Sequence, residues 1–177
     1  SLCDRTWLPC SNAAIVDFVM RRARDTALVR VAPMAAITKG LQGELMTEIG
    51  LLKEAGAVAI TDATKAVANA ALFRRILTYA RDFDMLVVQH AEEPSLASGV
   101  MNAGELATRL GLAGNHPVSE LILLERDLRL VEATGARYHA ALISCAESVE
   151  VIRRAKAKGL PISCGVSIHH LVLNEND

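Results

Sequence analysis

The feature of this sequence that most constrains its fold is the alternation of short apolar runs with longer segments of helical periodicity. Each of five apolar runs has the length of a strand and is followed by a segment in which apolar residues recur every three or four positions. Strands and helices that alternate in this way form parallel strands joined by right-handed crossovers. The runs are 28–35, 57–61, 85–89, 137–143 and 161–167. We expect them to be adjacent parallel strands in that order.

The runs are apolar on both faces, which predicts helices on both sides of a sheet or around a barrel. Five strands cannot close an eight-stranded (β/α)₈ barrel, so a barrel would be partial. The sequence has no Gly-rich phosphate loop, which disfavours an open nucleotide-binding sheet. It also has no linker or low-complexity segment, and we therefore predict one α/β domain over residues 1–177.

Local signals predict several helix boundaries. Ser11 or Asn12 can cap a first helix, because both side chains accept hydrogen bonds from backbone N–H groups. A further helix is predicted over about 102–110. Ser144 and Glu147 have the spacing of a capping box and predict the start of a later helix.

Composition narrows the functional class. The net charge is −1 and no basic stripe is present, which argues against nucleic acid as a partner. The four cysteines form no CxxC pair, a pattern typical of reduced thiols in a cytosolic protein, with zinc binding or a reactive thiol as the alternative. No apolar run approaches the length of a membrane span and no signal peptide is evident. These features predict a cytoplasmic protein that does not interact with membranes.

Polar side chains follow the predicted strands, and in parallel α/β folds the carboxyl ends of the strands carry the functional site. The candidate mouth-lining residues are Asp62, His90, Glu92, Ser144 and His169. His90 is either a ligand or catalytic base, or a hydrogen-bonded structural imidazole. Asp62 is either a functional carboxylate or a helix cap. His169 adjoins His170, and on an extended segment the two cannot both face one metal ion.

Several segments together resemble one family. Residues 89–96, which read Gln-His-Ala-Glu-Glu-Pro-Ser-Leu, resemble the segment after the fifth barrel strand of class I dihydroorotases. The similarity continues in register, and it covers roughly residues 13–177. The other matching segments are 99–105, 109–112, 126–128, 134–135, 148–156 and 169–171.

Dihydroorotases belong to the amidohydrolase superfamily of cyclic-amide hydrolases with a (β/α)₈ barrel. The resemblance implies a partial barrel, covering about the third to the seventh strands, with the outer strands outside residues 1–177. It also implies the interconversion of dihydroorotate and carbamoyl-aspartate in pyrimidine biosynthesis. Family members use zinc to generate a hydroxide near neutral pH.

The zinc ligands implied by the resemblance are largely missing. His90 matches the histidine at the end of the fifth strand. Ala63 stands where the bridging carboxylate is expected, and Leu142 where a histidine is expected. No His-x-His pair is present, and the catalytic aspartate of the last strand would lie beyond Asp177. We expect zinc binding to be weak or absent, unless Lys65 serves as a carbamylated bridging ligand.

Two functions are compatible with this pattern. One is a cyclic amidohydrolase of the dihydroorotase family that is impaired or inactive. The alternative is a non-catalytic homologue that binds aspartate transcarbamoylase, another partner chain or a second copy of itself. The replacements at Ala63 and Leu142 lie inside the chain and favour the alternative.

Overall fold

A parallel sheet of five strands forms the centre of the protein in the computed structural model, which describes residues 10–174. The five strands are β1 (Met34–Ala35), β2 (Ala59–Thr61), β3 (Leu86–His90), β6 (Tyr138–Ala141) and β7 (Ile162–Cys164). They lie in the order β1-β2-β3-β6-β7, and each neighbouring pair is parallel. The predicted order and parallel pairing are confirmed, although each observed strand except β3 is shorter than its apolar run.

Residues 10–174 contain seven α-helices, and at least one of them lies between each two consecutive strands of the main sheet. They are α1 (Ala13–Thr26), α2 (Ile49–Glu54), α3 (Ala70–Asp82), α4 (Glu105–Leu110), α5 (Val118–Thr134), α6 (Ala146–Ala157) and α7 (Ile168–Val172). Asn12 caps α1, because its side chain accepts hydrogen bonds from the N–H groups of Ala14 and Ile15. Between residues 10 and 174, no helix is long and apolar enough to cross a membrane.

The segment after β3 differs from the prediction. Only residues 105–110 are helical, while β4 (Met101–Asn102) pairs in parallel with β5 (Gly114–Asn115) in a separate sheet of two strands. The backbones at Gly99 and Gly114 lie close together because both residues are glycines. A β-carbon on Gly99 would collide with the backbone of Gly114. The predicted helix over 102–110 is therefore wrong at its start.

The main core lies between the sheet and the outer helices. Alternate residues of the strands face the helices, among them Ile60, Val87 and Tyr138, all of which are fully buried. The ring of Tyr138 meets the ring of Phe73 from α3 edge to face, with 6.4 Å between the centroids. Alanine, valine, leucine and isoleucine side chains fill most of the rest of this layer.

A buried carboxylate connects the sheet with the helix layer. Asp127 of α5 accepts hydrogen bonds from the side-chain amide of Gln89 and from the Tyr138 hydroxyl, the latter at 2.9 Å. Arg126 pairs with the same carboxylate at 2.6 Å and also donates to the backbone carbonyl of Val67. Burial raises the pKa of Asp127, and the neighbouring Arg126 opposes that rise. The network joins β3, β6, α5 and the loop that precedes α3.

We expect the substitution Asp127→Ala to lower the free energy of unfolding by about 3–5 kcal/mol. It would leave Arg126, Gln89 and Tyr138 in the interior without their shared acceptor. Urea denaturation followed by circular dichroism measures the loss. The matched control is Asp82→Ala, which removes an exposed carboxylate and should change stability by less than about 0.5 kcal/mol. Equal losses in the two variants would contradict the structural importance of the network.

Candidate functional site

A cavity of about 580 Å³ opens at the carboxyl ends of β3 and β6. His90 and Glu92 line it from the end of β3, and Leu142 and Ser144 line it from the segment after β6. Glu120 of α5 is also part of its wall. Three of the five predicted mouth-lining residues therefore meet here, and Asp62 and His169 do not line this cavity.

His90 is the last residue of β3 and lies opposite Ala141 of β6. Its Nε2 atom is 3.3 Å from a carboxylate oxygen of Glu92. Its Nδ1 atom is buried and has no hydrogen-bond partner among the described residues. Buried polar atoms are normally paired, so this nitrogen is a candidate contact for a bound molecule or ion. The carboxylate beside the ring fixes the ring orientation, as a base or a ligand requires.

Ser144 forms a polar cluster that sequence reasoning did not predict. Its N–H and its hydroxyl donate to the carboxylate of Glu120, at 2.9 and 2.6 Å. The thiol of Cys145 donates to the same carboxylate at 3.3 Å, and burial raises the pKa of this thiol. Cys145 is the N-cap residue of α6, so the predicted capping box of Ser144 and Glu147 is wrong. Glu120 lies in the first turn of α5, where an acidic residue is common and does not by itself indicate a site.

Asp62 has a structural role at the end of β2. It is 2% exposed, and its Oδ1 atom accepts hydrogen bonds from the N–H groups of Ile37 and Thr38 at 2.8 and 2.9 Å. The Thr38 hydroxyl donates to the other carboxylate oxygen. Burial raises the pKa of Asp62, and the hydrogen bonds from Thr38 oppose that rise. Through these hydrogen bonds, Asp62 connects the segment that follows β1 with the end of β2. It does not cap the helix that follows.

The two histidines near the end of the described chain lie in the short helix α7, which Ser167 caps. They are therefore not on an extended segment. His170 lines the cavity beside His90, while His169 is exposed elsewhere. Their one-residue offset on a helical turn separates the two side chains by about 100°.

The residues at the positions of the implied zinc ligands do not fit a zinc centre. His90 offers one unpartnered nitrogen, but Leu142 is an apolar wall residue and Ala63 has no donor atom. Across residues 10–174, no three His, Cys, Asp or Glu side chains are grouped so that they could hold a metal ion. Catalytic zinc sites use three protein ligands and keep one open position.

Comparisons of sequence find one family. A family model described as dihydro-orotase-like matches residues 6–148. A dihydroorotase from Syntrophobacter fumaroxidans is 42% identical over 165 residues, which are 93% of this chain and 38% of that protein. A dihydroorotase from Anaeromyxobacter dehalogenans is 45% identical over 166 residues, which are again 93% of this chain and 38% of that protein. The chain thus spans 38% of the length of these relatives.

Comparisons of structure show the fold. An L-hydantoinase (dihydropyrimidinase) from Arthrobacter aurescens matches 92% of this chain and 38% of its own chain, with a TM-score of 0.71 and 19% identity. A D-hydantoinase matches 97% of this chain and 39% of its own, with a TM-score of 0.69 and 21% identity. The predicted fold, a partial barrel with five parallel strands, is confirmed, since the chain matches a part of each of these two structures.

We expect the stability of the protein to depend on the charge of Asp62. Because its pKa is raised above 3.8 in the folded state, the folded protein keeps this proton to a higher pH than the unfolded chain. The stabilising contribution of the protonated carboxyl group is complete below pH 3.8 and is lost as the pH rises through the raised pKa. The substitution Asp62→Asn removes this titration but keeps an oxygen acceptor for Ile37 and Thr38.

The variant should therefore gain stability relative to the unaltered protein as the pH rises, by at most about 1.4 kcal/mol per pH unit. Urea denaturation at several pH values measures the difference. Asp17→Asn, which removes a half-exposed carboxylate, controls for the change in net charge. Parallel pH profiles for Asp62→Asn and the unaltered protein would contradict the expectation.

Proposed function

Because this chain belongs to the dihydro-orotase-like family, we propose that it is a cyclic amidohydrolase homologue in which metal-dependent hydrolysis of dihydroorotate is strongly impaired. The observation that best supports this proposal is the identity of the residues at the positions where the resemblance implies metal ligands. His90 is present, but Leu142 and Ala63 occupy the positions where the resemblance implies a second imidazole and a bridging carboxylate.

The chemistry explains why these replacements matter. A zinc ion supplies a water molecule with a pKa near 7 and polarises the carbonyl group that is attacked. Without it, His90 and Glu92 can act only as a general base on an ordinary water molecule. General base catalysis contributes about 10²–10⁴-fold, a small part of the acceleration that amide hydrolysis requires. We therefore attribute no efficient hydrolysis to this chain.

A second function, binding of a partner chain, is favoured by the surface around β7. β7 is the last strand of the main sheet in the described part of the chain, and in the segment that follows it large apolar side chains are 48–67% exposed. They are Val166, Ile168, Leu171, Val172 and Leu173. Patches of this kind mark interaction sites, and edge strands invite pairing. Aspartate transcarbamoylase is the partner that the resemblance suggests, with a second copy of this chain as the alternative.

Both functions agree with a cytoplasmic location and with a single domain over residues 1–177. We propose this location and this domain organisation as well. The absence of strong net charge supports protein or small-molecule partners over nucleic acid. The two functions differ in what the cavity must do. An impaired enzyme still binds the cyclic amide, whereas a scaffold requires only the surface around β7.

The direct test of impaired catalysis is metal analysis after dialysis, combined with a dihydroorotate hydrolysis assay on the purified chain. We expect less than one equivalent of zinc and turnover far below the ~10 per second that is typical of enzymes. The dihydroorotase from Syntrophobacter fumaroxidans serves as the positive control. Two equivalents of retained zinc, or turnover near that of the control, would contradict the proposal.

The partner-binding function predicts that a charge at the β7 surface weakens association. Size-exclusion chromatography with purified aspartate transcarbamoylase compares the unaltered chain with Leu171→Asp. The control is Val149→Asp, which adds the same charge at an exposed position on α6. Co-elution that is lost only with Leu171→Asp is the expected result. Separate elution of the unaltered chain would count against this partner.

A further inference from the structure

A glycine at the end of β7 leaves an open space between β6 and β7. Gly165 directly follows β7, and its N–H donates to the carbonyl of Ala140 at 2.9 Å. A β-carbon on Gly165 would lie 3.4 Å from the Nε2 atom of His139 and 3.8 Å from the backbone nitrogen of Leu142. An imidazole nitrogen and a backbone nitrogen therefore face one space that no side chain of the described residues fills.

The backbone N–H of Leu142 has no hydrogen-bond partner among the described residues. Leu142 has a left-handed backbone with a φ of 56°, and the next N–H group, that of Ile143, donates to the carbonyl of Gly165 at 3.0 Å. This turn continues the contact between the two strands without the N–H of Leu142. Backbone donors are normally paired, so an unpaired one at the wall of a cavity can bind a ligand.

His139 supplies the second nitrogen. Its side chain lies on the sheet face away from the helices, because Tyr138 and Ala140 on either side of it belong to the core. Its Nδ1 atom is 2.8 Å from the hydroxyl oxygen of Ser163. When that hydroxyl donates to Nδ1, the neutral ring carries its proton on Nε2 and donates from there. Burial lowers the pKa of His139, which favours the neutral ring.

The space lies at the level of His90 in the sheet. Cys164 is the partner of Ala140 in the β6–β7 ladder, so Gly165 is one step further and level with Ala141. Ala141 is in turn the partner of His90 in β3. A ring with an oxygen atom in this space would therefore lie at the same end of the sheet as His90.

Two donors that face one space suit an acceptor oxygen, and a carbonyl oxygen has two lone pairs. The charge of the surroundings separates a carbonyl group from an anion. Glu92 and Glu120 line the adjoining cavity, and no lysine or arginine among the described residues lines it. Two carboxylates repel an anion, so an uncharged carbonyl group is the ligand that this electrostatic environment favours.

We propose that this space binds a carbonyl oxygen of an uncharged cyclic amide, with His139 Nε2 and the backbone nitrogen of Leu142 as donors and with Gly165 as the residue that keeps the space open. The inference rests on the proposed function and names the residues that orient the ring in the cavity. It requires no metal ion, because both donors belong to this chain.

The donor role of His139 is tested by nitrogen NMR of the chain with isotope-labelled histidine. We expect the proton on Nε2, and a change in the Nε2 resonance when the uncharged cyclic amide dihydrouracil is added. Ser163→Ala removes the partner of Nδ1 and should weaken dihydrouracil binding about 3–10-fold, since the ring is no longer held as a donor. A proton on Nδ1 in the unaltered chain overturns the proposal.

The space itself is tested with Gly165→Ala. The φ of Gly165 is not positive, so alanine suits the backbone, and its β-carbon takes the place of the ligand oxygen. NMR titration with dihydrouracil should show binding at least about 10-fold weaker than by the unaltered chain. The matched control is Gly104→Ala, where no atom lies within 4 Å of the added β-carbon, and binding should not change. Urea denaturation checks that both variants are folded.

The absence of dihydrouracil binding by the unaltered chain overturns the proposal, and so does equal binding by Gly165→Ala and Gly104→Ala. Acetate that changes the His139 resonance at the same concentration as dihydrouracil would indicate an anion site, which also overturns it. None of these readouts involves hydrolysis. Turnover of dihydroorotate by the unaltered chain would contradict the proposed function alone, whatever the result of the titrations.

Discussion

The buried carboxylate of Asp127 is the interaction on which the rest of the structure depends. It holds Gln89 in β3 and Tyr138 in β6, the two strands whose carboxyl ends form the cavity. Arg126 extends the same network to the loop before α3. A buried charge is tolerated only when all its partners are in place, so the network specifies one arrangement of these elements. The position of His90, the residue after Gln89, follows from it.

This network lies on the helix side of the sheet, whereas the candidate site lies at the carboxyl ends of the strands. The fold therefore depends on residues such as Asp127 and Asp62, whose carboxylates bind protein groups. The fold does not require metal donors at positions 63 and 142, since an alanine and a leucine occupy them in an intact fold. A protein with this separation can lose its chemistry and keep its fold.

Sequence reasoning predicted the fold well because five apolar runs correspond to five parallel strands in their order along the chain. Sequence reasoning failed where contacts between residues distant in the sequence determine the local structure. Strands β4 and β5 have two residues each, too few to show any periodicity. Glu120 contacts Ser144 from the first turn of α5, and Asp62 is bound by residues some 25 positions earlier. No local sequence pattern indicates either pairing. The left-handed angles at Ala63 and Leu142 are invisible in sequence because neither residue type signals them.

The most direct test of this account is a crystal structure of the chain grown with zinc, with anomalous data collected at the zinc absorption edge. The account predicts His90 at the carboxyl end of β3 beside Glu92, and no zinc peak within bonding distance of His90. A well-occupied zinc ion bound by His90 and two or more further side chains of this chain would contradict it.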